Sequence, residues 1–214
     1  MLEAVVKSQM QAGDMPGAVA LADRYPRRQA RLLVEIARFV AKDDAAVHAV
    51  VGRIVDAPSR PMALLTVIDA RLAAGNREGA RTMLRTLLGD GAALRSMYFP
   101  DVRRAVVALG RVGDAAGAVM ISHRLATASD RAHTLVGAAE TVLDDAPVAR
   151  SLVEAGAWAS NTVDEDWTRD SLLGRLASLY RRLGMIPEAE TALQATTPMG
   201  RALALRKVAF PNER

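Results

Sequence analysis

Three histidines, His48, His123 and His133, are the residues here best suited to metal binding or general-base chemistry. No two stand three or four apart, the spacing that would turn both toward one zinc ion from a helix. They are read as surface or packing residues. Carboxylates occur together as Asp43-Asp44, Asp144-Asp145 and Asp164-Glu165-Asp166. Two facing carboxylates could divide acid and base work across a cleft. These precede helical stretches instead, where a carboxylate stabilises the positive end of the helix dipole. The chain has no cysteine, which excludes disulfides, thiolate zinc sites and cysteine nucleophiles. Phosphate-cradling loops and nucleophile-elbow motifs are absent. The residues predict no enzyme, no cofactor and no metal.

Arginine is the remaining chemistry. Lys7, Lys42 and Lys207 are the only lysines, and every other basic side chain is arginine. A planar guanidinium suits carboxylate or phosphate recognition, yet these arginines are scattered, and Ala, Gly and Val are abundant beside them, as a GC-rich genome produces. Near the N-terminus lie Arg24, Arg27, Arg28, Arg31 and Arg38, of which Arg27, Arg31 and Arg38 share a helical face. Phosphate contact by such a set would make a helical-repeat nucleic-acid binder. Few aromatics stand ready for base stacking, and Glu35 sits close to Arg38, so a solvated face is the preferred reading. Trp158 and Trp167 could anchor an interface, but in a chain with 4% aromatics they are read as filling gaps between helices.

The elements that must position these residues are helices. Leu172, Leu173, Leu176, Ala177, Tyr180 and Leu183 recur three or four apart, as do Leu32, Leu33, Ile36, Ala37 and Val40. Alternating strand-like stretches are nearly absent. No run of about 18 apolar residues exists to span a membrane, and the N-terminus lacks the apolar stretch of a signal peptide. A cytoplasmic protein is expected, or a periplasmic one if a leader was removed. The 214 residues, half of them hydrophobic, suffice for a sizeable core.

One short pattern returns along the chain. It reads Gly13-Asp14-Met15-Pro16-Gly17-Ala18, then recurs from Gly75, Gly113 and Gly184, with weaker copies from Ala41 and Asp144. The mean step is about 34 residues. Glycine closes a helix in the left-handed conformation. Asp14, Asn76 and Asp114 can cap the helix that follows, and Pro16, Pro147 and Pro187 fall in its first turn, where no N–H is needed. Each anchor therefore marks the tip of a helical hairpin. Breaks between hairpins are expected at Tyr25-Pro26, 56–59, 98–100, Ser129-Asp130, 164–166 and Thr197-Pro198. None is long enough for a linker, so one domain over 1–214 is expected.

These residues resemble the tetratricopeptide repeat family, best in Leu173-x2-Leu176-Ala177-x2-Tyr180-x3-Gly184-x3-Glu188-Ala189-x3-Leu193. Arg71 and Leu109 stand where that family usually has tyrosine. The resemblance implies an all-α fold, a right-handed α-α superhelix (solenoid) of about six antiparallel helix pairs. It also implies a scaffold that binds a peptide or helix of a partner protein in a concave groove lined by first helices. On that geometry Arg103 and Arg111 of the fourth repeat, and Arg175, Arg181 and Arg182 of the sixth, would face an acidic partner. Some relatives grip a C-terminal carboxylate with Lys and Asn; the matching positions here hold Arg103, Val107, Gly174 and Ser178. Apolar Leu2, Val5 and Val6 at one end, and Leu203, Leu205, Val208 and Phe210 in a last helix over 201–210, lack the polar caps solenoids carry. A homodimer through those ends is expected.

Overall fold

The computed structural model describes residues 1–198 and 200, and among these the chain is all-helical, with no strand. The expected last helix over 201–210 lies outside the described residues. The helices are α1 (Leu2–Gln11), α2 (Met15–Arg24), α3 (Gln29–Phe39), α4 (Asp44–Gly52), α5 (Ser59–Ala73), α6 (Arg77–Gly89) and α7 (Gly91–Ser96). They continue with α8 (Phe99–Val112), α9 (Ala115–Ser122), α10 (Ala128–Glu140), α11 (Ala146–Ser160), α12 (Asp166–Arg182) and α13 (Ile186–Gln194). A 3-10 turn over Pro26–Arg28 leads into α3. The residues fall into two compact units, Met1–Arg104 and a second from Ala105 onward. No described helix is long and apolar enough to cross a membrane.

The turns follow local rules. Gly13, Gly75, Gly113 and Gly184 have φ of 79°, 75°, 91° and 75°, in the left-handed region that a Cβ disfavours. At Gly13 the Asp14 N–H bonds back to the Gln9 carbonyl and the Gly13 N–H to that of Met10, the paired Schellman closure. Asp14, Asn76 and Asp114 then accept the N–H of Gly17, Gly79 and Gly117 at 2.9, 2.8 and 2.8 Å, as helix caps do. One residue further on, Ala18, Ala80 and Ala118 are fully buried, letting the paired helices approach. The second copy is shifted by one residue from its expected frame. Asp43 caps Ala46, so Lys42 occupies the glycine position and Val47 takes the buried place of the alanine.

Two breaks also differ from expectation. Ser129-Asp130 lies inside α10, because the Thr127 hydroxyl accepts the Asp130 N–H at 3.0 Å and starts the helix earlier. Pro100 lies within the first turn of α8, where its missing N–H is harmless. The long step from Gly75 to Gly113 holds α7, started by Asp90 accepting from Ala92 and Ala93.

Within the first unit α1 packs on α2 and α3, α3 on α4 and α5, and α5 on α6. Within the second, α10 packs on α9, α11 and α12, and α12 on α13. Within the first unit α1, α3 and α5 thus lie side by side, and within the second α10 and α12 do the same. The second member of a pair buries one stripe, as in Ala80, Met83, Leu84 and Leu87 of α6. The first members are covered on more sides; α5 buries Leu64, Leu65, Val67 and Ile68 together. Each such side chain contributes about 1.5–3 kcal/mol.

Candidate functional site

The first unit holds a groove of about 620 Å³ walled by α3, α5 and the start of α8. Ala30 and Val34 of α3, Met62 of α5, and Pro26 before α3 give it an apolar lining. Arg27, Arg31 and Arg104 place guanidinium groups along it, with Glu35 and Asp56 as its acids. Arg104 is fixed by its neighbours: its Nε and Nη2 reach Asp69 Oδ2 at 3.2 and 2.7 Å, and Nη2 lies 3.4 Å from Thr66 Oγ1. Arg31 Nε pairs with Glu3 Oε1 at 2.5 Å on the surface. Arg27 is exposed and has no ion-pair partner among the described residues. Asp56 holds the start of α5, accepting the Ser59 N–H at 3.1 Å.

Charges near the groove are tuned by burial and pairing. Burial pushes the Asp101 carboxyl above its ordinary value, against the lowering by a Tyr98 backbone hydrogen bond and by Arg104. Asp23 moves the other way: the Gln29 amide at 2.9 Å lowers its carboxyl most, and Arg53 at 2.5 Å adds to that.

The arginines singled out from the sequence are distributed differently. Arg103 lies in the first unit, exposed, with its guanidinium carbon 5.6 Å above the Phe99 ring centre. Its neighbour Arg104 lines the groove. In the second unit Arg175 is engaged by Glu140, Nε and Nη2 donating at 3.0 and 2.9 Å to the two carboxylate oxygens and tying α12 to α10. Arg181 and Arg182 are exposed in the last turn of α12, and Arg111 is half-buried near the end of α8. Of the N-terminal set, Arg27 and Arg31 meet in the groove.

The tryptophans do not fill gaps between helices: Trp158 and Trp167 are each 63% exposed. The reason is the closeness of the helices. A Cβ added at Gly156 of α11 would stand 3.0 Å from Val136 Cγ2 of α10, a separation that leaves no room for an indole. Trp158 lies two residues on, about 200° around the helix from that contact. Leu152, Val153, Leu172 and Leu176 occupy the interior instead.

Arg71 was not recognised as a site residue from sequence. It is 3% exposed on α5, and its Nε donates to the Ala41 carbonyl at 2.6 Å and its Nη1 to that of Gly79 at 2.8 Å. Its Nη2 pairs with the Asp44 carboxylate. The guanidinium therefore joins the α3–α4 turn to the start of α6. Its signal was present: it falls on the buried face with Ile68 and Leu72, where a charge needs partners.

A second device recurs between pairs. Ile54, Met97, Leu125 and Val163 are buried, and each is followed six residues later by an arginine, Arg60, Arg103, Arg131 and Arg169. Arg60 Nε donates to the Ile54 carbonyl at 2.7 Å and Arg131 Nη1 to that of Leu125 at 3.2 Å, pinning the linker to the helix it enters.

His48 Nδ1 lies 2.7 Å from the Asp44 carbonyl and His133 Nδ1 3.0 Å from that of Ser129. His123 borders an open cleft of about 550 Å³ with Val119 and Met120 of α9 and Ser151 of α11. Among the described residues no three His, Asp or Glu side chains are grouped to hold a metal ion. No family model, curated protein or solved structure matches the chain.

Proposed function

We propose that this chain is a non-catalytic interaction scaffold, a tetratricopeptide-like solenoid of stacked helix pairs that holds a peptide or helix of a partner protein. The observation that carries the reading is the groove on α3, α5 and α8, with its apolar lining and three arginines. Walls held by ion pairs such as Arg104–Asp69 lower the ordering cost of binding. The side-by-side packing of α1, α3 and α5 supports stacking of successive pairs. An acidic segment fits best, because Arg27 is open and can form charge-assisted hydrogen bonds.

Capture of partners from cell lysate, identified by mass spectrometry, tests this. Reversing charge with Arg27→Glu and Arg31→Glu is expected to lower recovery of the specific partner at least about tenfold, as loss of two charge-assisted contacts implies. Unchanged recovery would remove the groove assignment. The pair Arg181→Glu and Arg182→Glu tests the end of α12 in the same assay, and loss there alone would move the binding face to the second unit.

A further inference from the structure

The two tryptophans of the chain stand on α11 and α12, which pack on each other and flank the turn at 161–165. Two indoles at 63% exposure forgo the burial that makes this side chain useful in a core. Neither lies under a cation within the second unit's described residues.

The stretch of sequence that carries them is charged opposite to the whole chain. Residues 154–169 hold four carboxylates, Glu154, Asp164, Glu165 and Asp166, and one arginine, Arg169, in a protein of net charge +4. Arg169 is paired with Asp166, and Glu165 Oε2 accepts from Thr168 Oγ1 at 2.6 Å. Asp164 is exposed and unpaired among the described residues. Glu154 is exposed one turn before Trp158 on the same face of α11.

We propose that this end of the α11–α12 pair docks a cationic peptide segment of a partner, whose arginine or lysine side chains lie over Trp158 and Trp167 and pair with Asp164 and Glu154. Indole faces attract cations through their quadrupole, and the carboxylates supply the complementary charge. A purely apolar partner would strip water from those carboxylates without pairing them, and an anionic partner would be repelled. The surface lies wholly in the second unit and does not depend on the groove of α3, α5 and α8.

Because both tryptophans are in the site, their fluorescence reports on it directly. Titration with hexa-arginine at low ionic strength is expected to change the emission saturably, whereas hexaglutamate leaves it unaltered. Trp158→Leu, which keeps Trp167 as reporter, should weaken binding about two- to fivefold, and Trp167→Leu likewise. The triple variant Glu154→Gln, Asp164→Asn, Glu165→Gln should weaken it about fivefold or more, with circular dichroism unchanged since all three positions are exposed. The proposal falls if hexa-arginine leaves the emission flat up to millimolar concentration. It falls equally if the triple variant binds hexa-arginine as tightly as the parent chain.

Discussion

Arg71 shows how one residue sets a local arrangement. A buried guanidinium is tolerable only when its donors are matched, and here two backbone carbonyls and one carboxylate match them. Arg71→Leu would keep an apolar stem but lose the guanidinium and all three bonds, leaving the Ala41 and Gly79 carbonyls short of a donor. The expected cost is about 2–4 kcal/mol, read from urea denaturation; a loss below about 1 kcal/mol would show that water replaces the guanidinium. Tyr180 stands at the corresponding place before Gly184 and is buried too. Burial raises its hydroxyl pKa first, with Glu154 and Glu188 adding to it. Two chemically unlike side chains thus fill one position in the pattern, each stabilised by what surrounds it.

At the scale of the element, close approach of helices replaces bulk. Gly110 of α8 and Gly156 of α11 each face a side chain that a Cβ would meet at 3.1 and 3.0 Å. Gly156→Leu forces α10 and α11 apart at Val136 and Leu135. Overpacking of that kind costs about 1–3 kcal/mol, and thermal denaturation should show a lowered midpoint. An unchanged midpoint would mean that α11 slides freely past α10. The hairpin tips were legible from sequence because a left-handed glycine and a capping carboxylate act within five or six residues. Lys42 was not, since no glycine marks that turn and its frame shows only in which residue, Val47 in place of Ala46, is buried. The α7 helix was likewise hidden, because its cap at Asp90 interrupts no periodic run long enough to signal a new element.

For the molecule as a whole, stability is spread unevenly among neighbours. Helices α1 and α2 bury only Val6, Ala18 and Ala22, whereas α5 buries eight residues. Local opening is easiest where burial is least. Amide hydrogen exchange within the first unit is therefore expected to be fastest in α1 and α2 and slowest in α5; equal protection across them would contradict that order. Leu2 and Val5 remain partly open beside the buried Val6, so the apolar character of this end, anticipated from sequence, holds only for part of the helix.

The sequence alone determined what short-range rules control: helical phase, the glycine-closed tips, the caps at Asp14, Asn76 and Asp114, and the all-helical class. Tertiary structure decided which faces are covered. Trp158 is open and Arg71 enclosed, against simple hydrophobic expectation, because burial depends on the distance between helices. That distance is set by small residues such as Gly156 and Ala149 on other turns. The same geometry turned Arg104, and not Arg103, into the groove, since one residue's step around α8 rotates a side chain by about 100°.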